Sequence, residues 1–291
     1  MLSAVKRRRI PLPERGVEIA VLDWGGSGPL ALLHHANGFC ASVWGPVADA
    51  LKGTFRVVAM DARGHGSSSK PKGDEWYNPE VFMQDLAAVA ATLVDESPGG
   101  RIALGLGHSL GGAALIAAAA EHPDLFERLV LADPVIPSVE ASPEIEEMRV
   151  RLMRGARARR HVWPSREVLR ESWSQRKPFA SWDPRVLDLY LSEGFRDRLD
   201  GQVELQCAGT VEARVYQSHA GFDVSALAER VKVPTLVLWA RRGDYPRRVY
   251  EDLVARMSDG RVQDADTSHF VVMEDPSLVA REALAFYAST G

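Results

Sequence analysis

The sequence reads Gly107-His108-Ser109-Leu110-Gly111-Gly112 between a short apolar segment, residues 101–106, and an alanine-rich segment, residues 113–120. The first segment has the length and composition of a buried strand, and the second is typical of a helix. The stretch fits the pattern G-x-S-x-G, in which a sharp strand-to-helix turn projects the serine above the sheet. Ser109 is therefore the candidate nucleophile, and the Leu110 N–H is a candidate oxyanion donor. The alternative interpretation is that Ser109 only caps the helix.

Strand-like and helix-like segments alternate on both sides of this stretch, which predicts an α/β fold with a mostly parallel sheet covered by helices on both faces. From residue 138 to residue 222 the pattern changes to polar helix candidates without a convincing buried strand. We therefore predict a core formed by residues 1–137 and 223–291, interrupted by a helical cap at 138–222. The predicted strands are 17–22, 30–33, 56–60, 101–106, 129–131, 235–239 and 261–263. The predicted helices are 42–52, 79–96, 113–120, 142–160, 165–176, 184–194, 210–220, 245–257 and 276–288.

Composition excludes several classes of protein. The chain has 291 residues, of which 46% are hydrophobic and 25% charged, as in folded domains. Its net charge of −4 gives no electrostatic reason to expect a nucleic-acid partner. No apolar run approaches the roughly 20 residues of a membrane span, and the basic start lacks a following apolar region, so we expect a cytoplasmic protein without a membrane partner.

Cofactor and metal motifs are not evident in the sequence. Cys40 and Cys207 are too few and too far apart for a disulfide framework or a thiolate metal site. No cluster of histidine, cysteine and carboxylate has metal-ligand spacing, and no nicotinamide or flavin fingerprint is present. We expect neither a metal nor a cofactor.

A serine nucleophile needs a base, which is usually histidine. In sites built on this turn, the acid and then the histidine follow the serine in the chain, which leaves His122, His161, His219 and His269. His122 lies at a predicted helix end, and His161 and His219 lie in the inserted segment. His269 occupies a loop between the last predicted strand and the final helix, so we predict that it is the base.

Catalytic groups of open α/β sheets gather at the carboxyl ends of strands. Two aspartates closely follow clear predicted strands: Asp133 after 129–131 and Asp244 after 235–239. Asp244 is the favoured acid, because it follows the last strand but one and precedes the histidine loop. Asp133 is the alternative, although it could serve only to fix the turn before Pro134.

The second oxyanion donor is expected in the loop after strand 30–33, which reads His34-His35-Ala36-Asn37-Gly38-Phe39. Gly38 allows the backbone to turn an N–H inward, and the Phe39 N–H is the predicted donor. The two histidines are expected to hold this loop by hydrogen bonds rather than to take part in the chemistry.

Together these motifs resemble the α/β-hydrolase superfamily over about 70% of the chain. Asn37-Gly38-Phe39 resembles its oxyanion loop, although Asn37 stands near where many members have the histidine of a His-Gly pair. Asp61-Ala62-Arg63-Gly64-His65-Gly66-Ser67 resembles its D-x-R-G-H-G stretch, and Gly107–Gly112 resembles its elbow. Asp244 and Ser268-His269-Phe270 match its acid and histidine positions. The insertion resembles the helical cap of the subgroup with epoxide hydrolases, haloalkane dehalogenases and carbon–carbon bond hydrolases. The first two use an aspartate nucleophile, so Ser109 disfavours both activities.

Two features of the predicted cap have open roles. Residues 149–160 contain six arginines and no acidic residue, which is typical of a solvated helix face but also suits an anionic substrate or a partner. Trp163, Trp173 and Trp182 either line a substrate pocket or only pack the cap on the core.

The predicted reaction is hydrolysis of a carboxylic ester or related acyl compound, and the expected substrate is a small, largely apolar molecule. With the same triad, the alternatives are hydrolysis of a carbon–carbon bond in a diketone, of a lactone or of a thioester. A different class of protein, a small-ligand receptor on a hydrolase fold, is disfavoured because a receptor has no need of all three triad residues.

Overall fold

The computed structural model describes residues 5–136, 143–218 and 222–289. Eight strands form the main sheet, in the order β1-β2-β4-β3-β5-β6-β10-β11, and the short strands β7, β9 and β8 form a second sheet. In chain order the strands are β1 (Lys6–Leu12), β2 (Val17–Gly25), β3 (Leu30–His34), β4 (Arg56–Met60), β5 (Leu104–His108), β6 (Leu129–Ala132), β7 (Val162–Trp163), β8 (Phe195–Asp197), β9 (Val203–Leu205), β10 (Thr235–Arg242) and β11 (Gly260–Ser268).

From β4 to β11, neighbouring strands of the main sheet are parallel, and β2 runs antiparallel to both β1 and β4. The predicted α/β fold with a mostly parallel sheet is confirmed. The carboxyl ends of β3, β5, β6, β10 and β11 therefore lie along one edge, where groups from distant parts of the sequence can meet.

Helices cover both faces of this sheet. Alternate residues of one strand belong to different hydrophobic clusters, as Leu32 and Leu33 of β3 show, because successive side chains of a strand point to opposite faces. Side chains of α1 and α11 pack on one face, and those of α2, α3, α8 and α9 pack on the other. The helices are α1 (Gly45–Leu51), α2 (Pro79–Asp95), α3 (Leu110–Glu121), α4 (Pro143–Ala158), α5 (Arg166–Ser174), α6 (Pro184–Glu193), α7 (Gly209–Gln217), α8 (Val224–Ala228), α9 (Arg247–Ala255), α10 (Val271–Glu274) and α11 (Pro276–Ser289).

The segment between β6 and α8, called the insertion below, carries the helices α4 to α7. All four lie within one to three residues of their predicted bounds. The expectation of no strand there is wrong, because β7, β8 and β9 form a small antiparallel sheet. Strands of two or three residues are too short to show an alternating pattern. The predicted boundary at 137–138 and the candidate His219 lie outside the described residues.

Strand β1 was also not predicted from the sequence. Four of its seven residues are basic, the strand lies at the edge of the sheet, and only Ile10 and Leu12 of it are buried. A charged edge strand lacks the apolar alternation of a half-buried strand, and its charges protect the sheet edge against pairing with another chain.

No helix among the described residues is long and apolar enough to cross a membrane.

Candidate active site

Ser109 lies at the sharp turn between β5 and α3. Its backbone has φ 54° and ψ −113°, a conformation that costs a non-glycine residue about 1–3 kcal/mol. Hydrogen bonds to its neighbours hold the turn: the Ser109 N–H donates to the Ala132 carbonyl (3.1 Å), and the Ser109 carbonyl accepts from the Ala113 N–H (3.1 Å). The turn thus fixes the serine at the carboxyl edge of the sheet, as the sequence predicts.

The glycines of this turn permit a close approach of strand and helix. A Cβ atom at Gly107 would lie 2.5 Å from the backbone of Gly111, and a Cβ at Gly111 would lie 2.1 Å from the His34 carbonyl oxygen. Any larger residue at either position would force the backbones apart. The glycines therefore serve the geometry of the serine turn as well as a short connection.

His269 lies in the loop between β11 and α10, and its Nε2 is 3.0 Å from Ser109 Oγ. The His269 carbonyl accepts a hydrogen bond from His108 Nε2 (2.8 Å), which fixes the loop against the end of β5. The predicted base is thus within hydrogen-bond distance of the predicted nucleophile.

The carboxylate beside His269 belongs to Asp133 and not to Asp244. Asp133 Oδ2 lies 2.7 Å from His269 Nδ1, and Asp133 Oδ1 accepts from the Ala240 N–H (3.1 Å). Asp133 is fully buried, whereas Asp244 is exposed. The assignment of Asp244 as the acid in contact with His269 is therefore wrong, and the alternative, Asp133, occupies that position.

Sheet order gives the physical reason. Strand β6 lies directly beside β5, so Asp133, which follows β6 immediately, emerges next to Ser109. The pairing of β10 with β11 shifts register between Ala240 and Arg242, and Asp244 follows beyond this irregularity. Gly243 completes the fit, because a Cβ there would lie 2.9 Å from Asp133 Oδ2.

Electrostatics favours a chargeable imidazole at His269. Burial lowers the pKa of His269, but the hydrogen bond from its ring to Asp133 and the charges of Asp133 and Asp244 outweigh burial, so the pKa is raised above 6.5. By contrast, burial and the neighbouring His269 lower the pKa of His108 to about 3. His108 is therefore neutral, and His269 is the ring that can accept a proton here.

The two predicted oxyanion donors differ in whether their N–H groups already have a hydrogen-bond partner. The Leu110 N–H begins α3, where the helix supplies no carbonyl partner. The Phe39 N–H lies at 3.2 Å from the Ala36 carbonyl within its turn, so it would have to share or leave this bond to serve an oxyanion. The Gly38 N–H donates to His65 Nε2 (3.0 Å). The Phe39 donor remains a prediction.

Buried histidines hold the oxyanion loop. His35 Nε2 accepts from the Ala62 N–H (2.9 Å), so its Nδ1 carries the proton and donates to the Ala36 carbonyl (2.7 Å). Burial lowers the pKa of His35 to about 4 and that of His34 to about 3. The His35 ring connects the loop after β3 to the stretch after β4, and the His34 ring bonds locally to the His35 carbonyl (3.0 Å), which agrees with the structural role expected from the sequence.

The insertion binds the same loop through residues that the sequence analysis missed. Tyr190 Oη donates to the Gly38 carbonyl (2.9 Å), and Arg159 donates to Tyr190 Oη (2.9 Å). Arg159 also pairs with Glu212 (2.8 Å), whose carbonyl accepts from Asn37 Nδ2 (3.0 Å). These four polar residues lie on α6, on α7, just after α4 and in the loop after β3. They are too far apart in the sequence to form a motif, so no sequence signal could have found this network.

The three tryptophans of the insertion are all buried, but only one lies near the triad residues. The Trp182 ring is 5.4 Å from that of Phe39 and 5.7 Å from that of Phe270, which follows His269. Trp173 stacks on Phe179 (4.0 Å between ring centroids), and Trp163 packs edge-on against Trp173 (6.2 Å). The pocket-lining role therefore stays a prediction, and Trp182 is the best placed for it.

A family model described as "Alpha/beta hydrolase family" matches residues 31–282, most of the sheet and the whole described insertion. The chain belongs to the alpha/beta hydrolase family. Membership of the α/β-hydrolase superfamily, which the motifs predict, is thereby confirmed.

Relatives of this hydrolase have several named activities. The chain is 36% identical to an esterase of Mycobacterium tuberculosis over 154 residues, 50% of the chain and 49% of the relative. It is 36% identical over 108 residues to the 2-(acetamidomethylene)succinate hydrolase of Mesorhizobium japonicum, 37% of the chain and 36% of the relative. The matches therefore span about a third to a half of these relatives.

The hydrolase fold extends over nearly the whole chain. A crystal structure of an E-2-(acetamidomethylene)succinate hydrolase aligns with a TM-score of 0.80, covering 98% of this chain and 99% of the other at 22% identity. At this identity the likeness supports the fold alone and does not indicate the substrate.

Proposed function

We propose that this alpha/beta hydrolase is a serine hydrolase that cleaves a carboxylic ester or a closely related acyl compound through an acyl-enzyme. The observation that carries the proposal is the chain of contacts from Ser109 Oγ to His269 Nε2 (3.0 Å) and from His269 Nδ1 to Asp133 Oδ2 (2.7 Å). A nucleophile in contact with a base, and that base in contact with an orienting carboxylate, is the arrangement that catalyses nucleophilic acyl transfer.

In the proposed mechanism, His269 Nε2 accepts the Ser109 proton while Oγ attacks the acyl carbon. Asp133 accepts the hydrogen bond from Nδ1–H, which fixes the imidazole tautomer and stabilises the imidazolium. The Leu110 N–H, and the Phe39 N–H once released from Ala36, donate to the oxyanion. His269 then gives its proton to the leaving group, and a water activated by the same histidine releases the acid.

The nucleophile supports acyl chemistry over alkyl displacement. A serine hydroxyl activated by histidine suits attack on a carbonyl, and the ester formed is hydrolysed readily by water. The esterase relative, 36% identical over half of the chain, also favours an ester as the substrate. The assignment rests on the site and not on the fold, since this fold supports many reactions.

We further propose that the insertion acts as a cap that sets substrate choice. Phe39, Phe270 and Trp182 bring three aromatic rings together beside His269, with ring-centroid distances between 5.4 and 6.0 Å. Such a wall excludes water and suits a small, largely apolar acyl or alcohol group.

The test uses Ser109→Ala with a series of p-nitrophenyl esters and a fluorophosphonate probe. Wild type is expected to turn over at least one ester and to be labelled at Ser109, whereas Ser109→Ala loses labelling and on the order of 10⁴-fold or more in rate. Ser174→Ala, at an exposed serine of α5, is the matched control and should behave as wild type.

Circular dichroism and thermal melting establish that Ser109→Ala is folded. Labelling of wild type at another residue, or near-normal turnover by folded Ser109→Ala, would contradict the mechanism. A wild type that is neither labelled nor active, but binds small apolar compounds, would favour a receptor.

A further inference from the structure

A cleft of about 580 Å³ lies on the insertion, formed around the carboxyl ends of α4 and α5. Its lining does not include Ser109, His269 or Asp133, so it is separate from the site described above. The volume lies within the range of about 300–1,000 Å³ that small-molecule sites occupy.

Four cationic side chains line this cleft and no acidic one does. Arg159 and Arg160 follow α4, and Arg176 and Lys177 follow α5. Arg159 is neutralised by Glu212. Across residues 5–136, 143–218 and 222–289, no carboxylate is in ion-pair contact with the other three. The cleft therefore has an uncompensated positive charge.

Aromatic rings form the remaining wall. Trp173 and Phe179 stack at 4.0 Å with nearly parallel planes (8°), and Trp163 stands edge-on to Trp173. The Arg160 guanidinium lies 4.4 Å from the centroid of the Trp163 ring. Val168, 42% exposed, adds an apolar surface at the same cleft. Phe179 and Tyr190 already stack on Trp173, and Arg160 lies over Trp163, so a bound planar ring would meet the edges of these rings and the apolar surface of Val168.

A solvated helix end does not require this combination. Cations near a helix carboxyl end are favoured by the helix dipole, and that alone would explain all four. It would not explain why Val168, which is 42% exposed, and the half-buried Phe179 lie in the same concavity. Exposed apolar area rimmed by charge is typical of a recognition surface.

We propose that this cleft binds a planar aromatic anion, an aryl carboxylate, sulfonate or phosphate. The ring packs against Trp163, Trp173 and Phe179, and the anionic group accepts hydrogen bonds from Arg160, Arg176 or Lys177. Arginine suits the group because its planar guanidinium can donate two parallel hydrogen bonds to one anion. Part of the arginine-rich stretch 149–160 thus has a binding role.

The probe is naphthalene-2-sulfonate, titrated into the full chain by isothermal calorimetry and by tryptophan fluorescence. One-to-one binding with a change in tryptophan emission is expected, because two tryptophans line the cleft. The neutral naphthalene-2-sulfonamide and the non-aromatic cyclohexanesulfonate should each bind at least tenfold more weakly. If the sulfonamide bound as tightly as naphthalene-2-sulfonate, the proposed role of the charge would be overturned. If cyclohexanesulfonate bound as tightly, the proposed role of the aromatic rings would be overturned.

Variants locate the binding. Arg160→Gln and Lys177→Gln should each weaken binding roughly tenfold, since a hydrogen bond to a charged group is lost. Arg170→Gln is the matched control, because Arg170 is an exposed arginine of α5 paired with Asp188 outside the cleft. Ser109→Ala should bind as wild type. Unchanged binding in both cleft variants, with their melting temperatures preserved, would place the anion elsewhere and overturn the proposal.

Discussion

Asp133 Oδ2 lies 2.7 Å from His269 Nδ1, although 136 residues separate the two in the chain. The contact forms because β6 and β11 flank β10 in one parallel sheet, so that their carboxyl ends share an edge. The buried carboxylate and the partly buried ring meet at this edge, and this geometry leads to the first prediction.

Asp133→Asn should reduce kcat on the order of 10⁴-fold, because an amide can neither hold the required tautomer nor stabilise the imidazolium. Asp244→Asn, the matched control, should leave kcat nearly unchanged, since Asp244 is exposed and influences His269 only through its charge. Steady-state kinetics on an ester that wild type cleaves measures both. The reverse order of severity would restore Asp244 as the acid.

The pH dependence of kcat/KM should follow His269. Its pKa is raised above 6.5, and only the neutral ring can accept the Ser109 proton. Activity should therefore rise with pH and reach half of its plateau above pH 6.5. In Asp133→Asn the main cause of the raised pKa is removed and burial remains, so the half-plateau should move to lower pH. An unshifted midpoint would mean that another group controls the acid limb.

Tyr190→Phe should affect turnover more than substrate binding. The variant keeps the ring in its aromatic cluster but removes the donor to the Gly38 carbonyl and the acceptor for Arg159. We expect a lower kcat with little change in KM, and a loss of about 1–3 kcal/mol in the free energy of unfolding, since a buried acceptor is left unsatisfied. Urea denaturation and steady-state kinetics measure the two effects. A raised KM at unchanged kcat would indicate a substrate contact instead.

Trp182→Leu should change selectivity among acyl chain lengths, because Trp182 packs on Phe39 and Phe270 beside His269. Trp163→Leu is the matched substitution away from the triad, and it should lower the melting temperature while leaving selectivity flat. Relative kcat/KM over an ester series, together with melting temperatures, separates the two roles. Flat selectivity in both variants would reject the idea that Trp182 shapes the substrate pocket.

Asp85→Asn should strongly destabilise the fold without touching the triad. Asp85 is 1% exposed and accepts from Arg63 Nε and Nη2 at 2.5 and 2.7 Å, and Arg63 is itself fully buried. Removing one partner of a buried ion pair costs about 3–5 kcal/mol, because the other charge stays unpaired. Chemical denaturation checks this, with Asp124→Asn at the exposed pair with Arg101 as the control that should change little.

Local signals in the sequence were sufficient for much of the fold. The turn at Ser109, the helices flanking it and strand 56–60 follow from short-range periodicity and glycine placement, and the structure has them within a few residues. His269 could be chosen because chain order and its loop position agree. These features depend on residues that are close together in the sequence, so they can be predicted from the sequence of one protein.

The features that the sequence did not reveal depend on neighbours in space. The choice between Asp133 and Asp244 requires knowing that β6 lies beside β5 and that β10 bends out of register at its end. The sequence did contain one signal in favour of Asp133: it follows its strand immediately, whereas other residues intervene between the predicted strand and Asp244. Tyr190 and Arg159 reach the oxyanion loop only through tertiary packing, which no spacing encodes.

Two residues of the proposed triad, Ser109 and Asp133, are the described non-glycine residues with positive φ, at 54° and 41°. Each such conformation costs on the order of 1–3 kcal/mol, a cost that glycine would largely avoid. Replacement by glycine at either position should therefore relax the backbone while removing the functional side chain. Screening variants of this protein for heat resistance alone would consequently tend to enrich inactive ones, so thermostability and turnover must be selected together.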